Sequence, residues 1–121
     1  ATDARPRLCA GSDWPVSTPD PWQAIHVAVN RTLPADDPEH DSEPLLAHEA
    51  LTLAEALDAY TAGSAFINGR GPGDALVTGV IEVGAVADLA AIDRDPFAGP
   101  VQSIHETHCT GTWVAGRRVY G

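Results

Sequence analysis

The chain has 121 residues, the length of one ordinary domain, and carries 17 acidic against seven basic residues, for a formal net charge of −10. All of the basic residues are Arg, because the sequence contains no Lys. A surface this acidic repels phosphate backbones and anionic headgroups, so we expect neither nucleic acid nor a membrane as a partner.

The first predicted element is a short strand, Arg7–Ala10, which Gly11 ends. The next residues place Asp13 between this apolar run and a Trp-Pro turn. A carboxylate at the end of a buried strand is costly unless it is hydrogen-bonded, paired or bound to a metal. Asp13 therefore needs a partner, either a metal or the backbone amides of the following turn. Trp14 either lines a pocket mouth or packs on the next helix.

A helix is predicted from Pro21 to about Asn30, because Asp20, Pro21 and Gln23 have the spacing of a capping box with Pro at the first helical position. Its apolar side consists of Trp22, Ile25, Ala28 and Val29, the spacing of a helix face packed on a larger body. Residues 32–44, TLPADDPEHDSEP, contain three prolines and five acids without apolar periodicity. This segment is predicted to be a solvated acidic loop, a lid or an insertion.

A second capping box, Thr52 to Glu55, predicts a helix through Tyr60, and Gly63 either ends it or joins it to a further helical turn, 64–67. Glycines at 69–73 then break the chain. Four short strands are predicted beyond them: Val80–Val83, Asp88–Ile92, Thr107–Val114 and Arg117–Tyr120, the last two joined by a tight turn at Ala115-Gly116. One strand, a few helices and a small β tail leave strand edges and helix faces without partners, so the first half is expected to be the end of a larger unit.

The two cysteines, Cys9 and Cys109, lie in separate predicted strands without CxxC spacing, so we expect two buried reduced thiols. No apolar run reaches the ~20 residues that a membrane span requires. The N-terminal residues also lack the apolar core of a signal peptide. A cytoplasmic location is therefore expected.

Four blocks give the sequence a specific resemblance: AGSDWPVSTPDPWQAIHVAVNR, LTLAEALDAYTAGSA, VGAVADLAAIDRDPF and TWVAGRRVYG. In this order and spacing they resemble the C-terminal end of metal-dependent amidohydrolases, in the branch that includes N-substituted formamide deformylases. The resemblance implies an α/β fragment: the last strand and helices of a (β/α)8 barrel over residues 1–75, including the acidic loop 32–44, followed by strands of a small β-sandwich over residues 76–121. It also implies a parent enzyme that hydrolyses C–N bonds of the amide type.

The GSD-type block of that family lies at the C-terminal end of the last barrel strand, where barrel active sites gather. The resemblance therefore implies that Asp13 binds the metal or sits beside it, takes a proton from the attacking water and passes it to the leaving nitrogen. The family site also uses a His-x-His pair, a bridging carboxylated Lys or an acid, and further histidines. This chain has no His-x-His and no Lys. We therefore expect a divalent metal, zinc by preference, only in the complete enzyme and none in this chain alone.

The remaining family positions are expected to be structural. Gly84 and Asp88 match the block that leads out of the barrel, with Asp88 as a turn hydrogen-bonder, although Ala85 stands where the family often has Lys. Gly116 matches the terminal hairpin glycine. His105 and His108 lack the HExxH spacing and are expected to be surface or packing residues. The other three histidines, His26, His40 and His48, have no ligand partner at a diagnostic spacing.

Three hypotheses follow. The chain is the C-terminal portion of an amidohydrolase that depends on the rest of the barrel, from the same gene or a companion chain, and self-associates when alone; this is the one we favour. Alternatively it is a noncatalytic α+β binding module, which cooperative unfolding of the monomer would support. A third alternative is a structural subunit of another protein's barrel, which activity surviving the loss of Asp13 would favour. The substrate is not fixed by these residues, because barrel loops from several strands select it.

Overall fold

The computed structural model describes residues 7–121. Residues 1–6 lie outside the described range; they include the start of the predicted barrel segment and of the N-terminus that was searched for a signal peptide. Within residues 7–121, three α-helices, α1 to α3, span Pro21–Asn30, Leu53–Asp58 and Ser64–Ile67, and three strands, β1 to β3, span Leu89–Ile92, Cys109–Val114 and Arg117–Tyr120. A first 3-10 helix spans Ala47–Glu49, a second spans Val101–Glu106, and a π turn, Ala59–Gly63, joins α2 to α3.

Both predicted helix starts are confirmed, with one difference between them. The Asp20 carboxylate accepts a hydrogen bond from the Trp22 N–H at 2.9 Å, so α1 is capped at one amide rather than by a reciprocal box. At α2 the box is complete, since the Thr52 hydroxyl accepts from the Glu55 N–H and the Glu55 carboxylate accepts from the Thr52 N–H. The Thr52 N–H and the Thr52 hydroxyl both donate to the Glu55 carboxylate, and these bonds to its charged form lower the pKa of Glu55.

Gly63 proves to be a junction, not the end of the helix. The chain passes from α2 through the π turn into α3 without leaving a helical path. A Cβ at position 63 would collide with the carbonyl oxygen of Leu8. The missing side chain thus allows the segment before Asp13 to approach the helix closely.

The core lies where α1 packs against α2 and the second 3-10 helix. Its buried members are Ile25, Leu53, Ala56 and Ile104, and Trp22, Ala28 and Val29 pack against them. The apolar side predicted for α1 is therefore the side that is used. Asn30, at the end of α1, donates from Nδ2 to the Val101 carbonyl oxygen at 2.9 Å and fixes the 3-10 helix in place.

The three strands form one antiparallel sheet in the order β1-β2-β3. Leu89 of β1 pairs with Trp113 of β2, and Thr112 of β2 pairs with Tyr120 of β3. The register of each strand pair shifts once along its length. The predicted hairpin turn is confirmed: Ala115 and Gly116 both have positive φ, 49° and 77°. This is the signature of a two-residue turn whose twist matches the strands. The chain is thus a small set of helices with a three-stranded sheet.

Two predicted strands are not formed. Val80–Val83 is wrong as a strand, because Ile81 and Val83 are almost fully exposed and no ladder includes them. Arg7–Ala10 likewise forms no strand within residues 7–121, where no second strand lies beside it. Other large apolar side chains are also mostly exposed, including Trp14, Val16, Leu45, Leu46, Phe66, Ile67, Leu76 and Phe97.

Both cysteines are free, as predicted, but they are not buried: Cys9 is exposed and Cys109 is half-buried. Cys9 is exposed because its segment has no strand partner in the described chain. Among the helices of residues 7–121, none combines the length and the apolar character needed to cross a bilayer.

The capping box of α2 gives a stability prediction. Thr52→Ala removes the hydroxyl that holds the Glu55 N–H, and we expect the free energy of unfolding to fall by about 1 kcal/mol. Urea denaturation measures this change in the free energy of unfolding. Thr52→Ser keeps the hydroxyl and serves as the control, which should remain close to the parent. Equal stability of the Ala variant and the parent would contradict the cap.

Candidate functional site

Asp13 lies in a tight turn. Its backbone has a positive φ of 51°, a conformation that Asp tolerates better than most residues, and its carbonyl oxygen accepts from the Val16 N–H at 2.9 Å. Ser12 holds the same turn twice: its Oγ accepts from the Trp14 N–H at 3.2 Å and its carbonyl oxygen accepts from the Ser17 hydroxyl at 2.6 Å. The turn is therefore fixed by Ser12 and by the backbone.

The Asp13 carboxylate takes no part in fixing the turn. It is exposed, and it makes no hydrogen bond to any residue of the described range 7–121. The expectation of a buried acid at a strand end is therefore wrong for this chain, since the strand that would enclose it is not formed. The alternative role, capping the following turn through the side chain, is also not used. Both carboxylate oxygens are thus free of hydrogen bonds from residues 7–121.

The segment before this turn is anchored on the π turn. The Ala10 N–H donates to the Ala59 carbonyl oxygen at 3.0 Å, and the Ser64 hydroxyl donates to the Ala10 carbonyl oxygen at 2.8 Å. A π turn leaves carbonyl groups free of the regular helical ladder, and here Ala59 uses one to hold the incoming chain. The α2–α3 unit thus sets where the Asp13 turn begins.

Beyond the turn, α1 starts at its Asp20 cap, and the Asp20 N–H is itself held by the Thr18 hydroxyl at 3.2 Å. Trp14 is 67% exposed, so most of its side chain lies in solvent. This exposure does not fit a Trp14 that is packed into a contact with α1. The side chain stands in solvent next to Asp13.

Sequence reasoning missed one pair of side chains. His26 on α1 is buried, and its Nδ1 lies 3.3 Å from Nδ1 of His105 on the second 3-10 helix. Burial and the neighbouring charge of His105 lower the pKa of His26. The two residues are 79 positions apart. No local spacing in the sequence signals such a pair.

The other predicted structural positions behave as expected. Asp88 accepts from the Ala115 N–H at 2.8 Å, so it is a turn hydrogen-bonder. The His108 backbone N–H donates to the Asp93 carboxylate at 2.9 Å, and this bond lowers the pKa of Asp93. Gly84 and Gly116 both have positive φ, as turn glycines do.

Within the described residues, no three His, Cys, Asp or Glu side chains converge on a point where they could hold a metal ion. Asp13, exposed and without a hydrogen bond, fits one position in a metal's ligand set, since carboxylate oxygen is an ordinary ligand for divalent cations. The described part of the chain therefore offers one ligand and not a complete centre.

Comparison with known proteins gives two matches. Residues 1–120 match the model of the family described as "Amidohydrolase family". The chain is also 35% identical over 114 residues to an N-substituted formamide deformylase from Arthrobacter pascens, with 94% of this chain covered. It spans only 19% of that relative's length. No solved structure matches the chain.

Gly63 yields a prediction about the support of the Asp13 turn. Ala in place of a helical Gly ordinarily stabilises by about 1 kcal/mol. At Gly63 we expect the opposite, a loss of about 1–3 kcal/mol in the free energy of unfolding, because the added methyl group collides with the Leu8 carbonyl.

Gly11→Ala is the matched control, since a Cβ there meets nothing within 4 Å. Urea denaturation of both variants measures the difference. A Gly63→Ala variant more stable than the parent would show that the segment before Asp13 does not pack on the π turn.

Proposed function

Because the chain belongs to the amidohydrolase family, we propose that it is the C-terminal portion of a metal-dependent hydrolase that cleaves C–N bonds of the amide type with water. The observation that carries this proposal is the extent of the family match, which runs over residues 1–120 and so includes the Asp13 turn, α1 and the sheet. The name of the Arthrobacter relative indicates an N-substituted formamide as its substrate. For this chain we propose the bond class only.

We assign residues 1–75, with the acidic loop 32–44, to the end of a (β/α)8 barrel, and residues 76–121 to a small β-sandwich. Two observations support this division. The segment Arg7–Ala10 is anchored to the π turn but has no strand beside it in the described chain, as the last strand of a barrel without its neighbours would be. The sheet β1–β3 is antiparallel, as sandwich strands are.

In the complete enzyme Asp13 acts at the C-terminal end of that last strand, where barrel active sites lie. A divalent metal, zinc by preference, would supply Lewis acidity toward the amide carbonyl and lower the pKa of bound water. Asp13 accepts a proton from the attacking water on a carboxylate oxygen and delivers it to the leaving nitrogen. The exposure of Asp13, and the absence of a hydrogen bond to it from residues 7–121, support this role because the carboxylate is not committed elsewhere.

The remaining metal ligands must come from polypeptide outside this chain, in the same gene product or a companion chain. The share of the relative's length that is matched, 19%, supports such a remainder. The exposed side chains of Trp14, Ile67 and Ile81 support self-association when the remainder is missing. With a net charge of −10, the chain is expected to bind neither nucleic acid nor a membrane surface.

Asp13→Asn in the complete enzyme tests the catalytic role. The amide keeps the shape of the side chain but cannot accept the proton, so we expect the turnover rate to fall by about 10²- to 10⁴-fold. Stability should change little, because the side chain is exposed and holds no part of the turn. Steady-state kinetics measures the turnover rate, and the metal content of both proteins is measured in parallel.

Asp58→Asn is the matched control, since Asp58 is an exposed carboxylate at the end of α2. It should leave turnover unchanged. Near-normal turnover of the Asp13 variant, at metal content equal to the parent's, would remove Asp13 from the mechanism and favour a structural subunit.

The metal proposal predicts that the 121-residue chain alone retains no stoichiometric zinc after dialysis. A catalytic zinc site takes about three protein ligands, and Asp13 supplies one. Elemental analysis of the dialysed chain measures retained zinc. One zinc per chain would contradict the proposal that the ligand set is shared with other polypeptide.

A further inference from the structure

The contact between α1 and the second 3-10 helix contains two imidazole rings. His26 is 2% exposed, and the His105 side chain is 18% exposed. Their Nδ1 atoms are 3.3 Å apart, and the rings meet edge to face with centroids 4.8 Å apart. At this separation the two nitrogen atoms can share one hydrogen bond, in which one ring donates its N–H and the other accepts it.

The neighbours of His26 decide which ring carries that proton. Asn30 Nδ2, a donor that also serves the carbonyl oxygens of His26 and Val101 at 3.1 and 2.9 Å, lies 3.3 Å from the same His26 Nδ1 and favours this atom as an acceptor. With His26 Nδ1 as the acceptor, His105 is the donor across the contact. We assign these tautomers from the hydrogen-bond network. The same Asn30 amide group occupies the approach to His26 Nδ1 and opposes a metal ion there.

We propose that the His26–His105 pair makes the packing of α1 on the second 3-10 helix pH-sensitive. With His26 neutral, the pair is hydrogen-bonded and the contact is closed. A proton on His26 Nδ1 removes the lone pair that His105 uses and places a positive charge inside the contact. Opening the contact then relieves both penalties, because it returns His26 to water.

The surrounding charges do not compensate for the additional proton. Asp36 places its Oδ1 3.6 Å from His105 Nε2, but its side chain is 83% exposed, so water and salt screen it. His40, in the same loop, faces His26 and adds repulsion, while its own Nδ1 contacts the Leu33 carbonyl oxygen at 2.7 Å. The groove beside His105 also carries Asp20, Glu106 and His108.

The direction of the pH effect follows from His26. Burial first, and His105 second, lower the pKa of His26 below its ordinary value of 6.5. The open contact therefore binds more protons than the closed one. The stabilisation is complete above about pH 6.5 and is lost as the pH falls from there through the lowered pKa of His26.

Hydrogen–deuterium exchange on the complete protein, compared between about pH 7.5 and about pH 5, tests the proposal across the range where histidine titrates. The reporters are the Ser103 and Thr107 amides, which donate to Pro100 and Ile104 carbonyl oxygens. After correction for intrinsic exchange, we expect the opening constant of these amides to rise as the pH falls below about 6.5. The rise is up to about tenfold for each pH unit, because one proton is taken up on opening. Amides of β2 serve as an internal reference that should not respond.

His26→Asn removes the group that takes up the proton and leaves an amide in its place, so the pH dependence of the reporters should disappear. His48→Asn is the matched control, because the His48 side chain is 74% exposed and pairs only with Glu49 within the described chain; it should keep the parent's dependence. Reporter protection that is the same at both pH values in the parent, or full pH dependence in the His26 variant, would overturn the proposal.

Nitrogen-15 NMR of the parent gives a second measurement, one that does not rely on the folding of a variant. His26 should remain a neutral imidazole as long as residues 101–106 are protected. A protonated His26 in a chain whose 101–106 amides are still protected would also overturn the proposal.

Discussion

The packing of Ile25 and Ile104 in one core is the contact on which the rest of this structure depends. Ile25 belongs to the helix that follows the Asp13 turn, and Ile104 belongs to the 3-10 helix that leads into the sheet. Their burial removes apolar surface from water and joins the two halves of the chain. Without it, the helices and the sheet would be separate small elements, each short of the apolar burial that independent stability requires.

The features that the sequence predicted correctly are those decided by neighbouring residues. Asp20 and Thr52 satisfy amides two or three positions away, so their caps are visible as spacing. The turn at Ala115-Gly116 also follows from two adjacent residues with positive φ. The family was equally accessible, because four ordered blocks of sequence carried the resemblance, and the family match over residues 1–120 agrees with it.

The features that the sequence did not predict depend on residues far apart in the chain. A strand needs a partner, so the apolar patterns at 7–10 and 80–83 could not reveal that none lies beside them in residues 7–121. Asp13 is exposed because no strand within residues 7–121 encloses it. The pairing of His26 with His105 is a tertiary contact across 79 positions, and neither residue has a local pattern that announces it. The Asp13 turn itself was locatable from sequence; its surroundings were not.

The π turn at Ala59–Gly63 has a consequence for how this region tolerates changes of length. A π turn closes its backbone bonds one residue later than an α turn, so it accommodates one extra residue within a helical path. Deleting a single residue there would give one continuous α-helix and rotate every side chain beyond it by roughly 100°. The Ser64 hydroxyl would then no longer face Ala10, and Ala59 would lose its free carbonyl. The extra residue of the π turn thus lets the helix bind the segment that precedes Asp13.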